Sequence, residues 1–149
     1  MPDSARVATV IPVTEEAATG RVAELFADIK ETKGIRFIPR IWQVLATNPT
    51  QLEVVWSSLK RLMHPESLGL ESKLAPVVRQ MIAVAVSATD GCSYCVNSHT
   101  AILKKLGAGG ETLGEVLAIA GLFNVTNALA DGYQVEPDVF PRIEEEPQP

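Results

Sequence analysis

Apolar residues recur along this chain at spacings of three and four, and no stretch longer than a few residues alternates with period two. Such spacing gives a helix one face to bury and gives a sheet nothing regular to bury, so an all-α fold is expected. Val22, Leu25, Phe26 and Ile29 make the first stripe, which Gly34 stops, and Thr14 with Glu15 and Glu16 behind it reads as the N-cap. Ile38-Pro39 opens a short helix that turns Ile41, Val44 and Leu45 inward. Asn48-Pro49 ends it and starts the next, whose buried face is Leu52, Val55, Trp56, Leu59 and Met63, and which His64-Pro65 breaks. After a loop over 66–69, a helix is expected over 71–88 with Leu74, Val77, Val78, Met81, Ile82 and Ala85 inside. It is apolar on nearly every side from Met81 to Val86, as a central helix would be. Asp90-Gly91 makes a tight corner. A fifth helix runs over 92–106 and ends at Gly107. A sixth runs over 111–130 to Gly132, burying Leu113, Val116, Leu117, Ala120, Phe123 and Leu129.

The expectation is one single-domain helical bundle of about six helices over 1–133. A Pro-rich, acidic tail follows over 134–149, with Pro137, Pro141, Pro147, Pro149 and the run Glu144, Glu145, Glu146. A chain of 149 residues suits one domain and buries roughly 70% of the surface its unfolded form exposes, so it needs no staple to stay folded. Trp42 and Trp56 are spaced as core or interface residues.

The net charge of −5 repels phosphate backbones, and neither Arg36 with Arg40 nor Lys104 with Lys105 forms a basic stripe, so no nucleic-acid partner is expected. The longest unbroken apolar run, Met81 to Val86, is far short of a membrane span, and the first residues do not read as a secretory signal. The expected location is the cytoplasm, with no membrane partner. Structural disulfides are rare there, so two cysteines three positions apart suggest catalysis or metal.

Those cysteines lie in Asp90-Gly91-Cys92-Ser93-Tyr94-Cys95-Val96-Asn97-Ser98-His99, after a turn and at the start of a helix. The first turn of a helix offers unpaired N–H groups and a partial positive charge, both of which favour a thiolate. At about 100° per residue, Cys95 and His99 lie roughly 40° apart around the helix and one turn apart along it. Cys92 returns to nearly the angle of His99. One helix face thus shows two sulfurs and an imidazole, with His99 placed to hold or relay the Cys95 proton. Plainer readings stand beside this one. Zinc wants four ligands, and Cys92, Cys95 and His99 are three, so a metal would need Asp90 or a residue of a second copy; neither metal nor cofactor is expected. His99 could be a core histidine, and Tyr94 could either pack over the sulfurs or hydrogen-bond the site, or be an amphipathic anchor at the helix start.

The pattern Cys92-x-Tyr94-Cys95-x3-His99-x7-Gly107 resembles the core of alkylhydroperoxidase D, in the carboxymuconolactone decarboxylase superfamily. The resemblance is strong over 74–117. It is looser from Pro12 onward, where Ile38-Pro39 and Asn48-Pro49 fit peroxidase-related members. It implies a helical fold and a homo-oligomer, commonly a dimer, trimer or hexamer. It also implies a peroxidase in which Cys95 attacks a hydroperoxide, Cys92 resolves the sulfenic acid to a disulfide, and His99 joins a proton relay. A dithiol partner, lipoyl- or thioredoxin-like, would reduce that disulfide. One position departs from the pattern. Val78-Arg79-Gln80 stands where the family has an arginine–glutamate pair, and the relay glutamate is Gln80 here. An amide cannot take up a proton near neutral pH, though it can orient a neighbour. Asp90 and Glu111 are the nearest carboxylates in sequence, each with an ordinary structural role at a turn or helix start. The departure motivates an alternative function, a dithiol redox sensor or electron-transfer adaptor. A lactone decarboxylase is disfavoured, because those branches generally lack the paired cysteines.

Overall fold

The computed structural model describes residues 9–141. Among them are six α-helices and no strand: α1 Gly20–Lys33, α2 Arg40–Leu45, α3 Pro49–Met63, α4 Pro76–Thr89, α5 Ser93–Lys105 and α6 Gly110–Gly132. A single 3-10 turn, Pro65–Leu68, follows α3. Contacts gather into two compact units, one up to Lys73 and one from Leu74. Residues 135–141 follow α6 without helix or strand. The rest of the expected tail, including Glu144, Glu145 and Glu146, lies outside the described residues.

The first unit is built as its apolar stripes dictate. Val22, Leu25, Phe26 and Ile29 of α1 pack with Leu52 and Trp56 of α3 and Trp42 of α2, and all are buried. Each such side chain contributes about 1.5–3 kcal/mol by leaving water. The Trp42 and Trp56 rings meet edge to face, 5.3 Å between centroids. Asn48 caps α3 by accepting the Gln51 N–H at 3.2 Å, with Pro49 in the first position. At the edge of this core the Asp28 carboxylate accepts from Trp56 Nε1 and from Lys60 Nζ, both at 2.7 Å. Burial pushes the Asp28 carboxyl up, but the hydrogen bonds from Lys60 and Trp56 outweigh it and hold it below the usual carboxylate range. A lowered folded-state value means that the stabilisation is present at neutral pH and is lost as pH falls through that value.

Three expectations about this unit are corrected. Thr14 caps only a single turn, accepting the Ala17 N–H at 3.3 Å. The long helix starts at Gly20, whose φ of 53° a side chain would strain, and Thr19 is its N-cap residue. In α2 the buried residue is Trp42, whereas Ile41 is exposed; a six-residue helix has too few turns for spacing to fix its face. Val55 is exposed as well, α3 burying the narrower stripe of Leu52 and Trp56.

In the second unit, α4 packs along both α5 and α6. It starts at Pro76 and not near 71, because proline lacks the N–H and fits only the first turn. Its expected inner face holds only in part. Val77, Met81 and Ala85 are half-buried, but the buried residues are Arg79, Gln80, Val84 and Ser87, while Leu74, Val78, Ile82 and Val86 are exposed. The sixth helix repeats this. Leu113, Val116 and Ala120 are half-buried, but Leu117, Ile119, Leu122, Phe123, Val125 and Leu129 are exposed, and no residue of α6 is buried. Val84 and Leu103 are the buried hydrophobics of this unit among the described residues. By length and composition α6 could cross a membrane. No long unbroken apolar run announces this, because Gly121, Asn124, Thr126 and Asn127 interrupt the stretch.

Candidate active site

The first cysteine is the N-cap of α5, and the second sits in its first turn. Gly91, at φ 72°, reverses the chain after α4 and delivers Cys92 to that position. The two cysteines are joined as a disulfide, with Cα atoms 5.3 Å apart. Cys92 Sγ also accepts the Cys95 N–H at 3.2 Å, as an N-cap oxygen would in a serine. Both cysteines are half-buried.

One turn further along α5 stands His99, also half-buried. Its Nδ1 lies 2.8 Å from Oε1 of Gln80, which α4 supplies. Gln80 is 4% exposed, so the bond is made out of water, where a polar group needs its partner most. Arg79 beside it is buried too, a residue that apolar spacing could not flag. Tyr94, expected to support the site or anchor the helix, is 40% exposed at the second position of α5, and its carbonyl accepts from Ser98 Oγ at 2.9 Å. Asp90 ends α4 as its C-cap and Glu111 lies in the first turn of α6, both exposed. The structure therefore brings Cys92 to Cys95 and Gln80 to His99. Among the described residues no group of three or more His, Cys, Asp and Glu is gathered as a metal ion would need.

A helical chain with a CxxC disulfide at the head of one helix and an amide-braced histidine one turn on defines a CxxC protein of the alkylhydroperoxidase D type. Residues 60–135 match the carboxymuconolactone decarboxylase family, and the chain belongs to that family. The crystal structure of the alkylhydroperoxidase AhpD core from Rhodospirillum rubrum is similar at a TM-score of 0.79 and 38% identity, over 89% of this chain and 95% of that one. Alkyl hydroperoxide reductase AhpD of Acidobacterium capsulatum is 33% identical over 60 residues, 40% of this chain and 33% of that protein. Bacillus subtilis YdfG, itself uncharacterised, is 29% identical over 55 residues, 37% of each chain. The matched region spans about a third of the length of these curated relatives.

Proposed function

We propose that the protein is a thiol-dependent peroxidase that reduces small hydroperoxides through Cys92 and Cys95. The observation that carries this is the Cys92–Cys95 disulfide at the start of α5, with His99 one turn away. The relatives named for alkyl hydroperoxide reduction add support. In the first step the Cys95 thiolate attacks the terminal peroxide oxygen, the O–O bond breaks, and Cys95 becomes a sulfenic acid as the alcohol leaves. The Cys92 thiolate then attacks the Cys95 sulfur, expelling water once the hydroxyl is protonated. A thiolate at Cys92 is favoured by the N–H it accepts from Cys95 and by the positive end of the helix. An external dithiol, lipoyl- or thioredoxin-like, then returns both cysteines to thiols. In the test, fully reduced protein is mixed with a small organic hydroperoxide and no reductant, and free thiols are followed in time. Both thiols should disappear within seconds at one peroxide per protomer.

A second reading rests on Gln80. The group that meets His99 Nδ1 from α4 is an amide, which cannot take up a proton as the family's glutamate would. Thiol loss over many minutes, together with rapid exchange with a dithiol, would favour a redox sensor or electron-transfer adaptor.

We also propose that the exposed faces of α4 and α6 are covered by further copies of this chain in a cytoplasmic homo-oligomer. Ile119, Leu122 and Val125 are each about 60% exposed, and a groove of about 280 Å³ lined by Val86, Ala120 and Phe123 opens between the two helices. Large apolar side chains this exposed along two neighbouring helices support a reading in which a further copy covers them. The dimer, trimer and hexamer of the family are the assemblies to test for. Sedimentation should give a mass of several protomers, and Leu122→Glu should weaken association at least about 100-fold by placing an unpaired charge there. A wild-type monomer at micromolar concentration would overturn the proposal.

A further inference from the structure

His99 and Gln80 make a pair whose chemistry is more restricted than that of a histidine with a carboxylate. An amide oxygen only accepts hydrogen bonds. At 2.8 Å from Nδ1, Gln80 Oε1 therefore requires the ring proton to be on Nδ1. A neutral imidazole carries one N–H and one lone pair, so the lone pair is then on Nε2. Free neutral histidine favours the opposite arrangement, so the ring needs a fixed partner to be held this way. Gln80 is such a partner, because it is buried on α4 and α4 packs along α5.

We propose that Gln80 is a positioning residue that locks His99 as the Nδ1–H tautomer, making Nε2 the atom that accepts the thiol proton and keeping His99 neutral over a wider pH range than a carboxylate partner would. The tautomer follows from the amide oxygen, and not its NH2 group, facing Nδ1, and only its use in the redox step rests on the peroxidase reading. In that step Nε2 takes the proton of the Cys95 thiol, and the thiolate attacks the hydroperoxide. Sulfur is oxidised by two electrons to the sulfenic acid, the peroxide bond is reduced, and the imidazolium returns its proton to the departing alkoxide, which leaves as the alcohol. A carboxylate at position 80 would stabilise the imidazolium by its charge and raise the pH needed to keep the base neutral. The amide fixes the ring without that effect.

The test reads the tautomer and the pH profile separately. The chain has two histidines, so a His64→Ala background leaves His99 as the one imidazole in long-range proton–nitrogen spectra of the reduced protein. Nδ1 should show the shift of a protonated ring nitrogen and Nε2 that of a lone-pair nitrogen. Gln80→Leu, similar in size but with no acceptor, should move the ring to the Nε2–H form or a mixture and slow peroxide-dependent thiol loss about tenfold. Gln80→Glu should keep the Nδ1 proton but shift the midpoint of the pH–rate profile upward by about 1–2 units. An Nε2–H ring in the unsubstituted site would overturn the proposal outright, whatever the variants do. So would an unchanged tautomer in Gln80→Leu, or an unmoved midpoint in Gln80→Glu. If the Nδ1–H form is present but hydroperoxide is ignored at every pH, the lock is upheld and the peroxidase reading falls.

Discussion

Cys95→Ser should reduce hydroperoxide-driven thiol loss by about 10³-fold or more, whereas Cys92→Ser should leave the first oxidation intact and block everything after it. The asymmetry follows from where the sulfurs sit. Cys95 is one turn before His99 on α5, so its proton has an acceptor within one helical turn. Cys92 is the N-cap, seven residues from His99, and its sulfur is stabilised by the Cys95 N–H. Removing Cys95 deletes the nucleophile that His99 serves, and base assistance of this kind is worth roughly 10²–10⁴-fold. Removing Cys92 deletes the group that closes the disulfide. The Cys92→Ser protein should consume about one peroxide per protomer and stop, leaving a sulfenic acid at Cys95 that a dimedone adduct reveals by mass. The opposite pattern, with Cys92→Ser inert and Cys95→Ser oxidised, would assign attack to the N-cap thiolate and reverse the roles. Slow oxidation of both variants and of the parent would instead support the dithiol-exchange reading.

The largest stability effect should come from Trp56→Ala, at about 3–5 kcal/mol. Trp56 is 1% exposed, packs edge to face on Trp42, and donates its indole N–H to Asp28 at 2.7 Å. Alanine leaves a cavity in the α1–α3 core and takes away one of the hydrogen bonds that hold the Asp28 carboxylate. Trp56→Phe separates these terms, since it keeps a ring in the core and loses the indole donor. It should cost less than the alanine change, with about 1.5–3 kcal/mol expected from the lost bond to a charged acceptor. Urea unfolding followed by far-UV circular dichroism gives both numbers. A loss under about 1 kcal/mol for Trp56→Ala would mean that the site relaxes around the missing ring.

Helix boundaries were the most legible part of the fold, because proline, glycine and asparagine act locally. Gly34, Asn48-Pro49, His64-Pro65 and Gly107 end or start helices where the sequence places them. A helix started near 71 would have to pass through Pro76, which the same local rule forbids, and α4 begins at that proline. Burial was less legible. Of the six residues that spacing marks as the inner face of α4, Val77, Met81 and Ala85 are half-buried and Leu74, Val78 and Ile82 are exposed, while Gln80, Val84 and Ser87 are buried. Periodicity reports that a face needs apolar contact and is silent on whether the chain itself or another molecule supplies it. The site shows the same division. One helix's spacing was enough to group Cys92, Cys95 and His99. The meeting of Gln80 with His99 depends on how α4 packs on α5, and without the family pattern nothing at position 80 would have drawn notice. The Asp28, Trp56 and Lys60 cluster joins two helices through residues 28 and 32 positions apart, and no local pattern announces it.

Both tryptophans of the chain, Trp42 and Trp56, lie in the unit up to Lys73, whereas the cysteines lie in the unit from Leu74. The chain thus carries its own optical label on one half and its own chemical label on the other. Indole emission reports the melting of the α1–α3 core, and the reactivity of the reduced thiols reports the opening of the α4–α6 half. Recording the two signals through one denaturation series asks whether the halves unfold as a single cooperative block or in succession, with no dye attached and no residue changed.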